Sequence, residues 1–247
     1  MGAACCDSSQ DTNLRPGVDI SLARKEADTM MSQPIKIEYF GGSFGRVDPI
    51  RQMLVHKSVD FKFIGYTPDS WASLKESGNS GEMGGLPIVH YGGGQGRQQT
   101  MAILRSLGAM HGYYNPSDWK TCAFVDMVAE SYNDVFNAAA KAMLFTPDEE
   151  KPAAFEALRD GLVKKFMHIC ETRFEQNAAQ MFIASDEMTI ADFCLASFVF
   201  NTLKNELSPL QPVLSPMLLK FPLFTAYTKR LEKEVSAHIE RRPKAPL

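Results

Sequence analysis

The hydrophobic pattern of this chain changes period once, and that change limits the folds open to it. Between residues 35 and 111, short apolar runs of strand type alternate with helical stretches. Beyond Pro116 every patterned stretch repeats with the helical period. Alternating strands and helices fold as an α/β layer, whereas a run of helices buries its apolar stripes against other helices. The predicted architecture is a small α/β unit followed by an all-α unit. The length agrees: 247 residues, at ~150 per domain, leave room for one to two domains.

The elements can be placed in order. Ile35-Lys-Ile-Glu-Tyr-Phe40 alternates apolar and polar positions and reads as a strand. A glycine loop, Gly41-Gly-Ser-Phe-Gly45, leads to a helix with Pro49 at its first turn, where a missing N–H costs nothing. Phe61 to Ile64 is a second strand, Trp71 to Lys75 a short helix or turn, and Leu86-Pro-Ile-Val89 a third strand. Gly92 to Gly96 predicts a hairpin turn leading to a very short fourth strand, and Gln99 to His111 an amphipathic helix. Tyr113 to Ser117 is a linker. A long helix over 118–144 follows, then one capped within Thr146 to Glu149 and running to about Gln176. Thr189 to Leu203 is apolar on all sides and predicts the buried centre of the helical unit. Pro222 to Ile239 supplies the last helix. The domains are thus 34–113 and 118–247, preceded by a polar tail over 1–33. That tail is too poor in apolar residues to offset its ordering entropy, although Ser21 to Met31 has the pattern of a short capped helix.

Composition narrows the partners. Hydrophobic residues make up 45% and charged residues 22%, an ordinary globular balance. Twenty-six basic against 29 acidic residues leave a net charge of −3 with no long basic run, which speaks against nucleic acid. The five cysteines form no Cys-x-x-Cys pair. Cys122, Cys170 and Cys194 read as small apolar packing residues in a reducing compartment. His56, His90, His111, His168 and His238 show no metal-ligand spacing, so no metal is expected. No apolar run approaches the ~18 residues of a membrane span, and no signal-peptide core is seen. The expected location is the cytoplasm.

Five segments together carry a resemblance. Tyr39-Phe40 with Gly45-Arg46 and Pro49-Ile-Arg51, Trp71 with Lys75, Gly84-Gly-Leu-Pro-Ile-Val89, Gln99-Thr100-Met-Ala-Ile-Leu-Arg105, and Thr189-Ile-Ala-Asp192 stand in the order and spacing of the cytosolic glutathione S-transferases. The ending Ile239-Glu-Arg-Arg-Pro243 is similar to the sigma class, which includes the haematopoietic prostaglandin D synthases. The resemblance covers residues 35–247. It implies a thioredoxin-like N-terminal domain followed by an all-α C-terminal domain, with glutathione as co-substrate, a homodimer, and an electrophilic or peroxidic small-molecule substrate.

It also assigns roles. Tyr39, at the C-terminal end of the first strand, would donate its phenol O–H to the glutathione sulfur and favour the thiolate. The plainer reading is an aromatic packed against the helical domain, and Ser43 is an alternative hydroxyl. The loop from Tyr39 to Arg46 is one residue longer than the family's, an insertion glycines can absorb. Arg46 would structure that loop. A cis Leu86–Pro87 bond would free the Leu86 backbone to pair with the cysteinyl backbone; residues alone favour a trans proline at an edge strand. Gln99 and Thr100 would present a helix N-terminus to the γ-glutamyl carboxylate. Trp71 and Lys75, four apart on one helix face, would meet the glycyl carboxylate, against the reading of Lys75 as a surface lysine. Gly85 stands where relatives carry Lys. Asp134 would reach the γ-glutamyl amine across a dimer, or be a solvated helix charge. Met83 replaces an aromatic key at the subunit contact. Tyr113 and Phe145 are candidates for the apolar substrate wall, and Thr189 with Asp192 is a structural capping box.

Met1-Gly-Ala-Ala-Cys-Cys6 resembles an acylation signal, with Gly2 for myristoyl and Cys5 and Cys6 for palmitoyl, although Cys6 replaces the usual Ser or Thr. Two acyl chains anchor stably where one does not. The expected function is glutathione conjugation, with a membrane-tethered, non-catalytic scaffold of the same fold as the alternative. A thioredoxin-type disulfide oxidoreductase is excluded because no cysteine ends the first strand.

Overall fold

The computed structural model describes residues 34–91 and 94–246. The acylation-like residues Gly2, Cys5 and Cys6, and the short helix expected over 21–31, lie outside them. The α/β unit holds strands β1 (Ile35–Phe40), β2 (Phe61–Tyr66) and β3 (Ile88–His90) in the order β2-β1-β3. β1 and β2 are parallel, with Ile37 opposite Phe63, and β1 and β3 antiparallel, with Ile37 opposite Val89. Helices α1 (Asp48–His56), α2 (Pro68–Glu76) and α3 (Thr100–His111) complete it. The expected fourth strand is reduced to one bridge, in which Val89 and Arg97 exchange N–H···O bonds of 2.8 Å. β3 has only three residues, so there is little edge for a partner to follow.

Alternation explains why β1 sits in the middle. Ile37 and Tyr39 point inward against Ile50, Met53 and Leu54 of α1 and Ile103, Leu104 and Leu107 of α3. α2 extends further than its sequence pattern suggested. Thr67 Oγ1 accepts from Ser70 N–H at 3.1 Å and Ser70 Oγ accepts from Thr67 N–H at 2.9 Å, a capping box built on serine rather than the usual Glu or Gln.

The helical unit begins with α4 (Trp119–Leu144), capped by Asp118 accepting from Thr121 N–H at 3.1 Å. The next helix starts later than expected. Thr146 donates instead to Lys141 O at 3.2 Å and closes the end of α4. α5 (Lys151–Leu158) then passes through a π-turn at Arg159–Val163 into α6 (Lys164–Gln176). α7 (Ile190–Phe198), with a π-turn over Val199–Leu203, is buried at every position, as its uniform apolarity predicts. Thr189 and Asp192 form the expected capping box at its start, and Asp192 also accepts from Ile183 N–H at 3.0 Å and Tyr227 O–H at 2.5 Å. A short α8 (Gln211–Leu214) leads to the last helix, α9 (Pro222–Arg241). No helix among the described residues is long and apolar enough to cross a membrane.

The two units are joined through a buried carboxylate. Asp48, at the start of α1, is fully buried and accepts from Arg51 (3.1 Å), Gln52 (2.9 Å), Asn201 (3.1 Å), His238 (2.8 Å) and Arg242 (3.0 Å). Burial alone would raise its pKa. The bond and charge of His238 and the charges of Arg51 and Arg242 outweigh burial and hold the carboxyl well below the usual carboxylate range.

Candidate active site

β1 delivers Tyr39 to the edge of the sheet where the chain turns into the Gly41–Gly45 loop. The ring is 6% exposed and its oxygen accepts from the backbone N–H of Arg46 at 3.0 Å. Gly45 makes this possible: its φ is +48°, and a Cβ there would lie 2.1 Å from the phenol oxygen. The loop folds directly over the hydroxyl. Burial raises the Tyr39 pKa, and the bond from Arg46 N–H and the charges of Arg46 and Arg51 do not offset it. The group is therefore a protonated donor at neutral pH. With a lone pair occupied by Arg46 N–H, the O–H proton is the part left to offer a ligand.

The loop is held from behind as well. Arg51 donates to the carbonyls of Ser43 (3.0 Å) and Phe44 (3.3 Å), and the Arg242 guanidinium lies 4.0 Å from the centre of the Phe44 ring. Ser43, the alternative hydroxyl, lines a separate surface hollow with Phe40 and Tyr66.

Beside this loop is a cavity of about 480 Å³. It gathers Arg46, Gly85, Leu86, Gln99 and Thr100 of the expected residues. It also gathers Gln98, Arg105, Glu130, Asn133 and Asn137. The Leu86–Pro87 peptide is cis, which residues alone would not favour. Gln99, immediately before α3, adopts φ +74° and ψ +105°, a conformation costly for a residue with a side chain. Such outliers gather where the surrounding structure has a use for them. Thr100, which follows it as the first residue of α3, is buried and lines the cavity, and a helix N-terminus favours an anion.

Arg46 spans the cavity. Its guanidinium donates to Asn133 Oδ1 of α4 at 3.3 Å and lies 4.9 Å from the Phe136 ring centre. Arg105 pairs with Asp126 and Glu130, each at 2.7 Å. Three predicted positions on α2 and α4 fall outside the cavity lining. Trp71 is buried on α2 against Tyr66, with ring centres 5.6 Å apart, and Lys75 is exposed 5.7 Å from its ring. Asp134 is exposed and one position round the helix from Asn133. The face that meets the cavity is Glu130, Asn133 and Asn137, spaced three and four apart, so helical periodicity was the signal that would have found Asn133. Tyr39 and Pro87 are buried and are not part of the lining.

Tyr113 does not line the cavity beside the Tyr39 loop. Its hydroxyl is 2.5 Å from His56 Nδ1 at the far end of α1, where His56 Nε2 also meets Glu234 at 3.1 Å. Tyr39 and its loop lie beside the opposite end of that helix. Phe145, at the end of α4, is 79% exposed.

Comparison with known proteins finds one family. Residues 133–242 match the model for the glutathione S-transferase C-terminal domain. Glutathione S-transferase 2 of Onchocerca volvulus is 27% identical over 198 residues, covering 80% of this chain and 86% of the relative. Rat glutathione S-transferase alpha-3 is 27% identical over 204 residues, covering 82% and 85%. The chain is similar to the glutathione S-transferases. Solved glutathione S-transferase folds overlay it closely. Rat hPGDS complexed with a quinoline matches at a TM-score of 0.72 with 19% identity, covering 87% of this chain and all of that one. The glutathione S-transferase Blo t 8 matches at 0.73 with 22% identity, covering 86% and 96%. The thioredoxin-like domain followed by an all-α domain is the transferase fold, and glutathione is the co-substrate of the family.

Proposed function

We propose that this protein is a dimeric, sigma-like glutathione transferase that conjugates the glutathione thiolate to electrophilic or peroxidic small molecules. The observation that carries the reading is the Tyr39 phenol, capped by Arg46 N–H at 3.0 Å and kept protonated by burial, beside a cavity that combines a cis Leu86–Pro87 turn with the N-terminus of α3. The phenol donates a hydrogen bond to the bound sulfur. That bond favours the thiolate over the thiol, whose ordinary pKa is about 8.5. Leu86 offers its backbone to the cysteinyl unit, and Gln99 with Thr100 and the α3 N–H groups hold the γ-glutamyl carboxylate. Trp71 and Lys75 serve the glycyl end. Asp134 of a second copy serves the γ-glutamyl amine, and Met83, 65% exposed, serves the subunit contact.

The test is conjugation of a generic aryl halide. Tyr39→Phe is expected to lower kcat/KM by about 10- to 100-fold, the worth of one hydrogen bond to a charged group, with glutathione binding retained. The pH at which the bound thiol ionises should rise in step. An unchanged rate and titration would remove Tyr39 from the chemistry. Glutathione binding without turnover in the wild type would favour the scaffold reading instead.

The proposed location is the cytoplasm, with an anchor on the cytoplasmic face of a membrane through acyl groups on Gly2 and Cys5 or Cys6. Mass spectrometry of protein from its native cell checks this: an N-terminus without acyl mass on those residues retires the anchor.

A further inference from the structure

One side chain in the cavity wall belongs to none of the expected motifs, yet it holds the loop that leads into the cis turn. Gln98 uses its whole amide. Its oxygen accepts from Met83 N–H at 2.8 Å, and its nitrogen donates to the carbonyls of Ser80 (3.1 Å) and Gly85 (2.5 Å). All three partners are backbone atoms of the six-residue stretch 80–85, which ends where Leu86 and the cis bond begin. Gly81, in the same stretch, has φ +75°, and a Cβ there would lie 2.7 Å from the Gln98 amide oxygen. The loop has therefore closed on this amide. On its other side Gln98 is bonded in sequence to Gln99, the strained residue that immediately precedes α3 and lines the cavity with it.

We infer that Gln98 is a positioning residue that fixes, through one carboxamide, the distance between the two halves of the glutathione cradle: the Leu86 backbone and the N-terminus of α3. A carboxamide fits the task because it supplies one acceptor and two donors in a single plane. A loop of glycines with no such tie would sample many backbone states, and ligand binding would have to order it. Held in advance, the Leu86 N–H and C=O are presented at a set spacing from Thr100. The inference rests on the glutathione-transferase reading of the site and adds a residue to it.

The experiment is steady-state conjugation with glutathione varied and the aryl halide saturating, on the full chain. Gln98→Leu keeps the size and removes the amide. It is expected to raise KM for glutathione about tenfold while kcat at saturating glutathione stays within about twofold. Gly81→Ala leaves Gln98 in place but drives a Cβ onto the amide, and it should raise KM in the same sense. Gln95→Ala removes an exposed bond between the same two segments, Gln95 to Glu82 at 3.0 Å, and should leave KM unchanged. A general loss of stability would not separate KM from kcat in this way. If an active wild type keeps its KM in both Gln98→Leu and Gly81→Ala, or loses kcat instead, the positioning role is overturned and the enzyme reading stands. If Gln98→Leu does not fold, Gly81→Ala decides alone. A wild type that neither binds nor conjugates glutathione removes the enzyme reading and this inference together.

Discussion

At the scale of single residues, Gly45 and Tyr39 act as one unit. The phenol oxygen occupies the space a β-carbon would take on residue 45. Gly45→Ala must therefore move the Tyr39 ring or the loop, in addition to straining a backbone at φ +48°. We expect it to lower kcat/KM by about 100-fold, since a displacement of about 1 Å of a reacting group has that effect. The double variant with Tyr39→Phe should lose less than the product of the two single losses, and aryl halide conjugation reads both. The pairing also shows what a sequence can and cannot reveal. Tyr39 at the end of an alternating strand and the loop arginine after it were legible from position. That a glycine was required by an atom six residues earlier was not, because only the folded loop brings them together. Asn133 carries no charge to mark it, and its place on the cavity face follows from helical phase alone. Gln98 passed unnoticed because glutamines on a polar segment carry no signal until their partners are known.

At the scale of elements, the entry to α3 carries stored strain. A non-glycine residue at φ +74° costs about 1–2 kcal/mol. Gln99→Gly should release it and raise the melting temperature by a few degrees. Glutathione affinity should fall in the same variant, because the exposed Gln99 side chain lines the cavity and glycine leaves the cavity wall short. Calorimetric melting and glutathione titration measure the two effects, and a rise in both would deny Gln99 a binding role. The periodicities that located β1, α1, α3, α4 and α7 succeeded because burial on one side, or on all sides, leaves a plain pattern in the sequence. The π-turns at 159–163 and 199–203 left none, since one extra residue in a turn changes neither composition nor period over so short a span. The late start of α5 has a similar origin: Thr146 can serve either helix end, and only the geometry of α4 decides.

At the scale of the whole molecule, Asp48 is the junction between the units, and its titration has a definite sign. Its folded pKa is depressed, so its contribution to stability is present above the ordinary carboxylate value near 3.9 and is lost as pH falls below it. Asp48→Asn should therefore cost about 3–5 kcal/mol at neutral pH, because Arg51, Arg242 and His238 lose their buried anion. The variant should also show a shallower decline in stability than the wild type from about pH 5 downward. Chemical denaturation across that range is the measurement, and parallel declines would place the acid sensitivity elsewhere.

The same junction sets an order of events during synthesis. Arg242 reaches Asp48 and the Phe44 ring across 194 positions of chain. The loop above Tyr39 leaves the ribosome well before its brace. A nascent chain stalled short of Arg242 thus presents a first domain whose strands are complete and whose Gly41–Gly45 loop still lacks its support. The brace arrives only once Arg242 has been translated.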